Sequence, residues 1–357
     1  MFSLRSPLFF SRFRLPLIGG LMGTLLLSGC GWEPEPRGDT REIRWGTSAV
    51  GSAGHRALVN LARLLEEEMD SWSITVLPMP GAIMTMREFA NGSLDGFYGA
   101  DIAFYELARK QGRFARAQLG ESQPLVQSFW AYSMDMGLAV RERDHAEWSG
   151  WRELEGQRLF TGPAPWDTRA HLERVLSALE IDFQYVDIDL SLAGSQLDSG
   201  VIDAIGVYTM GGAEVAPWVA EAALGTRMRI LNPSPEEQQA LEEAGFLTLR
   251  PDKTRLRATF GDGEAVFFPF YYGFHLGLDF SATEVLTLLQ KIEVRAGDLA
   301  AMDPAFAQLA RDMPGLQRAA VARSIEDLPV HPGLALYLKS HDLWDPAWDD
   351  RIAPTAP

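Results

Sequence analysis

The chain of 357 residues contains a single cysteine, Cys30. One thiol cannot form an internal disulfide, and Cys₄ or Cys₂His₂ zinc sites are excluded. Positive charge is also scarce: 32 Lys and Arg stand against 48 Asp and Glu, a formal net charge of −16. So acidic a chain disfavours nucleic acid and anionic membrane surfaces as partners, and an anionic ligand would need a local site to overcome the overall field. There is no G-x-S-x-G elbow and no H-E-x-x-H pair. Glycines at 46, 51 and 54 do not spell a dinucleotide-binding G-x-G-x-x-G, and the Lys-Ser/Thr ending of a P-loop is missing. Asp187-x-Asp189 lacks the glycine and distal glutamate of a calcium loop. The histidines, His55, His145, His171, His275, His331 and His341, are scattered. These absences predict neither an enzyme nor a metal or cofactor site. What remains is 46% hydrophobic and 22% charged, a globular composition long enough for two or three compact units with a sizeable core.

The N-terminus reads as an address and an anchor. Arg5, Arg12 and Arg14 form a basic segment, followed by an apolar stretch from Leu15 to Leu27 that is short for a membrane-spanning helix. Leu27-Ser28-Gly29-Cys30 then resembles the lipobox of bacterial lipoprotein signal peptides. That resemblance implies cleavage of residues 1–29 and acylation of Cys30, a membrane anchor with the rest of the chain outside the cytoplasm. An uncleaved anchor would place it on the same side. Residues 30–40, rich in Pro, Gly and charge, read as a tether.

From Glu42 the pattern alternates strand and helix with short connections. A strand ending at Gly46 leads through a small-residue loop to a helix whose Leu58, Leu61, Leu65 and Met69 share a face. Glu66–Glu68 reads as a solvated face. Strands follow at 73–77 and 94–99, with helices near 84–90 and from Asp101. Residues 125–140 suggest a pair of strands bent at Met134–Met136. The rhythm then restarts, with strands at 158–161, 183–186, 204–208 and 228–231, and helices at 168–179, 191–199 and 214–222. Residues 265–277 are strongly aromatic, and Pro269 argues against a central uninterrupted strand, so this segment reads as a bent crossover back to the first unit. Helices fill the remainder. The pattern predicts two α/β units flanking a cleft, where ligands commonly bind.

Several segments resemble, in order, the TAXI-type solute-binding proteins of TRAP transporters: IRWGTSAVGSAGHRALVNLARLL, NGSLDGFYGADIAFYELA, LEGQRLFTGPAPWDTRAHLERVL, LAGSQLDSGVIDAIGVYTMGG and LPVHPGLALYLKSHDLW. They run across roughly residues 41–345. The resemblance implies an α/β, two-lobed periplasmic-binding-protein-like fold of type II, with lobes joined by crossover strands and C-terminal helices. Residues 41–131 and 250–357 would form lobe 1, and residues 132–249 lobe 2. It further implies a periplasmic receptor that captures a small solute, an organic acid or amino acid, and delivers it to TRAP membrane permease subunits. A ligand-sensing or scaffolding lipoprotein on the same fold is the alternative, since fold alone does not separate the two.

The candidate ligand residues lie where strands run into helices: Thr47, Ser48, Ala49, Gly51 and Ser52 in the first loop, Gly81 and Met84, Ala100 and Asp101, Gly162, Trp166, Asp167 and Thr168 in the second unit, and Tyr208 and Thr209 at a strand end. Free N–H groups and the helix dipole at such points attract an anion, although Ser52, Asp101, Asp167 or Thr168 would serve equally as ordinary helix caps. The chain departs from the family pattern where Met84-Thr85 replaces Glu-Asn, Gly99-Ala100 replaces Gln-Ser, and Ala164–Thr168 replaces Gly-Ser-Gly-Thr. These changes predict a less polar pocket and a ligand with an apolar body. An ionised Asp167 facing the cleft would repel a carboxylate and suit an amine or hydroxyl.

Overall fold

The computed structural model describes residues 40–354. The readings at Cys30, the leader and nearly all of the tether lie outside that range. In chain order the elements are β1 (Arg41–Thr47), α1 (Ala53–Glu68), β2 (Trp72–Pro78), α2 (Ala82–Ala90), β3 (Gly96–Ala100), α3 (Asp101–Arg109) and β4 (Trp130–Arg141). The second run comprises β5 (Arg158–Phe160), α4 (Asp167–Ala178), β6 (Gln184–Tyr185), α5 (Ala193–Asp198), β7 (Ala204–Met210), β8 (Glu214–Val215), α6 (Pro217–Gly225) and β9 (Met228–Leu231). It is followed by α7 (Pro235–Glu243), α8 (Lys253–Phe260), β10 (Phe268–Leu276), α9 (Ala282–Val294), α10 (Ala296–Met302), α11 (Ala307–Ser324) and α12 (Pro332–Ser340).

All ten strands belong to one sheet, and its pairing shows a repeat that the residue identities do not. One half runs β2–β1–β3–β10–β4 and the other β6–β5–β7–β4–β9. In each half three parallel strands are followed by an antiparallel one and then by a strand parallel to the first three. This is the two-lobed, type II arrangement. β4 and β10 pass between the halves: Met134–Met136 pairs with β10 on one side and with β7 on the other. The C-terminal helices return to the first half, where α9 and α10 meet α1, and α11 meets α3 and β4. α8 packs instead on β9 and α6, in the second half.

Local chemistry explains most of these elements. α1 starts where Ser52 accepts from the His55 amide (3.2 Å), and its Leu58, Leu61 and Leu65 are fully buried. In the acidic run, Glu66 and Glu67 are exposed, but Glu68 pairs with Lys291 of α9 (3.3 Å) and with Arg295 just past its end, so the run is not wholly solvated. The predicted bend in residues 125–140 is absent. β4 is one twelve-residue strand, because Asp135 finds its partners sideways rather than at a turn: it accepts from Ser133 Oγ (2.6 Å), Thr209 Oγ1 (2.8 Å) and the Gly212 amide (2.8 Å). Residues 214–222 are not one helix either, since Glu214 and Val215 pair with β7 before Pro217 opens α6. Pro269 is accommodated in β10 because only the β4 flank is paired there; pairing to β3 begins at Tyr272. Trp45, Trp130, Trp151, Phe97 and Phe104 are fully buried, each contributing on the order of 2–3 kcal/mol. Among the described residues no helix is long and apolar enough to cross a membrane.

Candidate functional site

A small cavity lies where the two halves face each other. It is lined by Ser48, Ser52, Ala53, Gly54, Pro80, Tyr98, Met134, Trp166, Asp167, Thr168, Tyr208 and Tyr272. The N-terminal turn of α1 contributes from one half and that of α4 from the other, so two helix dipoles border one space. α4 begins after Trp166 with no side chain capping it. Thr168 Oγ1 is buried there without a hydrogen-bond partner. On the α1 side, Ser48 Oγ and Ser52 Oγ are 2.6 Å apart, and the Tyr272 hydroxyl donates toward Ser48 Oγ at 3.4 Å. Gly54 is required at this spot: a Cβ would stand 2.4 Å from the Tyr272 hydroxyl oxygen and 2.5 Å from Ser48 Oγ.

The wall between these ends is aromatic. Tyr98, Tyr272 and Tyr132, from β3, β10 and β4, form a stack with centroids 5.1 and 5.3 Å apart. Burial pushes the phenols of Tyr98, Tyr132 and Tyr272 well above their ordinary range and that of Tyr208 to about 12, so all four stay neutral hydroxyls. The cavity is about 40 Å³, room for a few waters and not for an organic acid, so a larger guest requires the halves to separate or Trp166 to move. Wider hollows of up to about 650 Å³ lie elsewhere, with mixed charged, polar and apolar linings, one of them between α3 and α4 beside Arg113.

Asp167 does not stand as the free charge that the sequence suggests. Its Oδ1 lies 2.8 Å from Nη1 of Arg113, whose Nε donates to Glu106 (2.7 Å) and whose Nη1 reaches the Pro165 carbonyl (3.3 Å). Burial pushes the Glu106 carboxyl up, opposed by Arg113. No Lys, Arg, His or Cys lines the cavity among the described residues. It therefore offers hydroxyls, two helix N-termini, ring faces and the Asp167 carboxylate paired with Arg113. Among the described residues no group of three or more His, Cys, Asp or Glu is arranged to hold a metal ion.

Of the sequence-predicted residues, the structure brings Ser48, Ser52, Trp166, Asp167, Thr168 and Tyr208 to the cavity. Thr47 lies just behind, donating to the Gly54 carbonyl (3.1 Å). Ala49, half-buried, and Gly51, exposed with φ +82°, do not line the cavity. Gly81 faces Pro165 across the cleft, where a Cβ would stand 3.2 Å from that carbonyl oxygen. Gly162 backs Thr168, where a Cβ would stand 3.4 Å from its Oγ1. Met84 points along α2, its sulfur accepting from Arg87 (3.0 Å), and Ala100 is core. Asp101 turns away toward Arg323 (3.8 Å), with burial pushing its carboxyl up to about 6. Thr209 is committed to Asp135. The sequence reading missed Tyr98, Met134, Tyr272 and Arg113. Of these only Tyr272 had a signal, the aromatic run at 265–277, whose register had no visible partner.

No protein-family model matches this sequence, and no curated protein sequence matches it. Solved structures do match in shape. The probable amino-acid ABC transporter extracellular-binding protein YtmK of Bacillus subtilis is 12% identical, with 76% of this chain and 99% of that one covered and a TM-score of 0.45. MatC of Rhodopseudomonas palustris, solved with bound malate, is 12% identical over 80% and 98% of the two chains, TM-score 0.44. The alkanesulfonate-binding protein SsuA of Xanthomonas axonopodis pv. citri, bound to MOPS, is 19% identical over 85% and 91%, TM-score 0.41.

Proposed function

We propose that the chain is an extracytoplasmic solute-binding lipoprotein of a TAXI-type TRAP transporter, anchored through Cys30 and acting without catalysis. Lobe 1 would comprise residues 41–131 and 250–357 and lobe 2 residues 132–249, with α8 of the last stretch packed against lobe 2. The observation that carries the reading is the cavity bordered by the N-termini of α1 and α4 from opposite halves, with an unpartnered Thr168 hydroxyl beside its aromatic wall. The ordered family-like segments support the subfamily, and the lipobox-like LSGC supports the anchor.

A small solute would place an acceptor-bearing group against Ser48, Ser52 and Thr168 and an apolar body against Tyr98, Trp166, Tyr208 and Tyr272. Contacting both lobes, it would shift an open–closed equilibrium by its difference in affinity for the two states. The test is native mass spectrometry of protein purified from its own host, followed by thermal-shift titration with the retained mass and with short organic acids and amino acids. A retained solute that raises the midpoint supports the reading. An empty spectrum together with no shift from any candidate overturns it. The departures from the family pattern at the ligand loops, Met84-Thr85 and Ala164–Thr168, favour a second reading, a sensing or scaffolding lipoprotein. Co-purification with a signalling protein in place of a multi-span permease would select it.

A further inference from the structure

Two arginines of the first half reach across the cleft, and they do so in the same way. Arg113, just after α3, is held by Glu106 of its own half and extends to Asp167 of α4. Arg56, on the first turns of α1, is held by Asp303, at 2.9 Å and 3.1 Å through Nε and Nη2. Its Nη2 also extends to Glu214 of β8 at 2.8 Å. Each is therefore one guanidinium shared between an own-half carboxylate and a carboxylate of the other half. Arg56 leaves α1 one turn beyond the cavity-lining Ser52, and Asp167 itself lines the cavity, so the two crossings flank it.

We infer that Arg56 and Arg113 are a matched pair of interlobe clasps, positioning residues that hold the cleft closed before any solute arrives. Three observations argue for this over a purely structural role. Each arginine already has a carboxylate of its own half to balance its charge, Asp303 for Arg56 and Glu106 for Arg113. Both crossings land at the ends of lobe-2 elements: Asp167 opens a helix, and Glu214 sits in a two-residue strand. The space they enclose is already too small for an organic guest. A planar guanidinium with five donors suits such sharing between two carboxylates, which an ammonium would not reproduce.

The meaning of the clasps rests on the cleft being a solute site, but their existence can be tested without a solute. The cleanest variants remove only the far carboxylate, Asp167→Asn and Glu214→Gln, leaving Arg113–Glu106 and Arg56–Asp303 in place. The full chain would be measured in plain buffer by small-angle scattering and by hydrogen exchange of the amides in residues 47–54 and 166–170. Urea midpoints would show that each variant is folded. The expected result is a larger radius of gyration and faster exchange on both sides of the cleft in each single variant, up to about fivefold for Glu214→Gln, whose pair with Arg56 is partly exposed. The double variant should be the most open. Asp167 is the more deeply buried of the two carboxylates, so Glu214→Gln keeps the test valid should Asp167→Asn fail to fold. Unchanged scattering and exchange in Glu214→Gln and in whichever other variants fold would overturn the clasps. Open variants in a protein that retains no solute would instead sink the receptor reading and leave the clasps standing.

Discussion

Tyr272 of β10 and Tyr132 of β4 lie face to face, their ring centroids 5.3 Å apart and their planes within 6°. The pair ties the two crossover strands together behind the cavity, and Tyr98 continues the stack at 5.1 Å. Removing the ring in Tyr272→Ala is expected to lower stability by about 3–5 kcal/mol, the cost of a large buried aromatic. Tyr272→Phe keeps the ring and loses only a 3.4 Å hydroxyl contact, so it should cost no more than about 1 kcal/mol. Urea unfolding of both variants checks the contrast. Equal losses would show that the hydroxyl, not the stack, matters.

Asp135 is buried with three donors aimed at its two oxygens. In Asp135→Asn one acceptor becomes an NH₂ facing donors. The expected loss is about 1–3 kcal/mol, the cost of an unsatisfied buried group, with the lobes still folded. Equilibrium unfolding measures it, and a neutral result would mean that the site rearranges freely.

Asp101 predicts a pH dependence with a definite sign. Burial, opposed by Arg323 and more weakly by Arg174, raises its carboxyl from 3.8 to about 6 in the folded chain. Between those values the folded state binds the proton that the unfolded state has released. This group's contribution is therefore fully favourable below about pH 4 and is lost as pH rises toward 6. Asp101→Asn removes the titration. Relative to wild type, it should gain about 2–3 kcal/mol between pH 4 and pH 7, read from urea midpoints at the two pH values. A difference that does not change with pH would count against the assignment.

Gly54→Ala places a methyl against Tyr272 and Ser48. Alanine favours a helix, but only by up to about 1 kcal/mol over glycine, whereas the clash costs about 1–3 kcal/mol. A net loss of stability is expected by thermal denaturation, together with a weaker midpoint shift from any retained solute. A stabilised variant would show that the tyrosine swings aside without cost.

Much of the local structure is legible in the residues. The period of Leu58, Leu61 and Leu65 marks α1, Ser52 and Ser281 mark helix starts, and Pro332 opens α12. The strand-to-helix points that could face a ligand follow from the same signals, because caps and periodicity are interactions within a few residues. Other features depend on partners far along the chain. Asp135 looked like a bend until Thr209 and Gly212 supplied its hydrogen bonds.

The sequence by itself determined the alternation of strands and helices, the two-lobed class and the small-residue loops, since these follow from composition and short-range spacing. Only the tertiary structure decided which residues meet. It stacked Tyr98, Tyr272 and Tyr132 from three strands, gave Asp167 to Arg113, and turned Asp101 and Thr209 away from the cleft. The reason is that pairing register and side-chain charge balance are set by contacts between segments dozens to hundreds of residues apart, which no local pattern encodes.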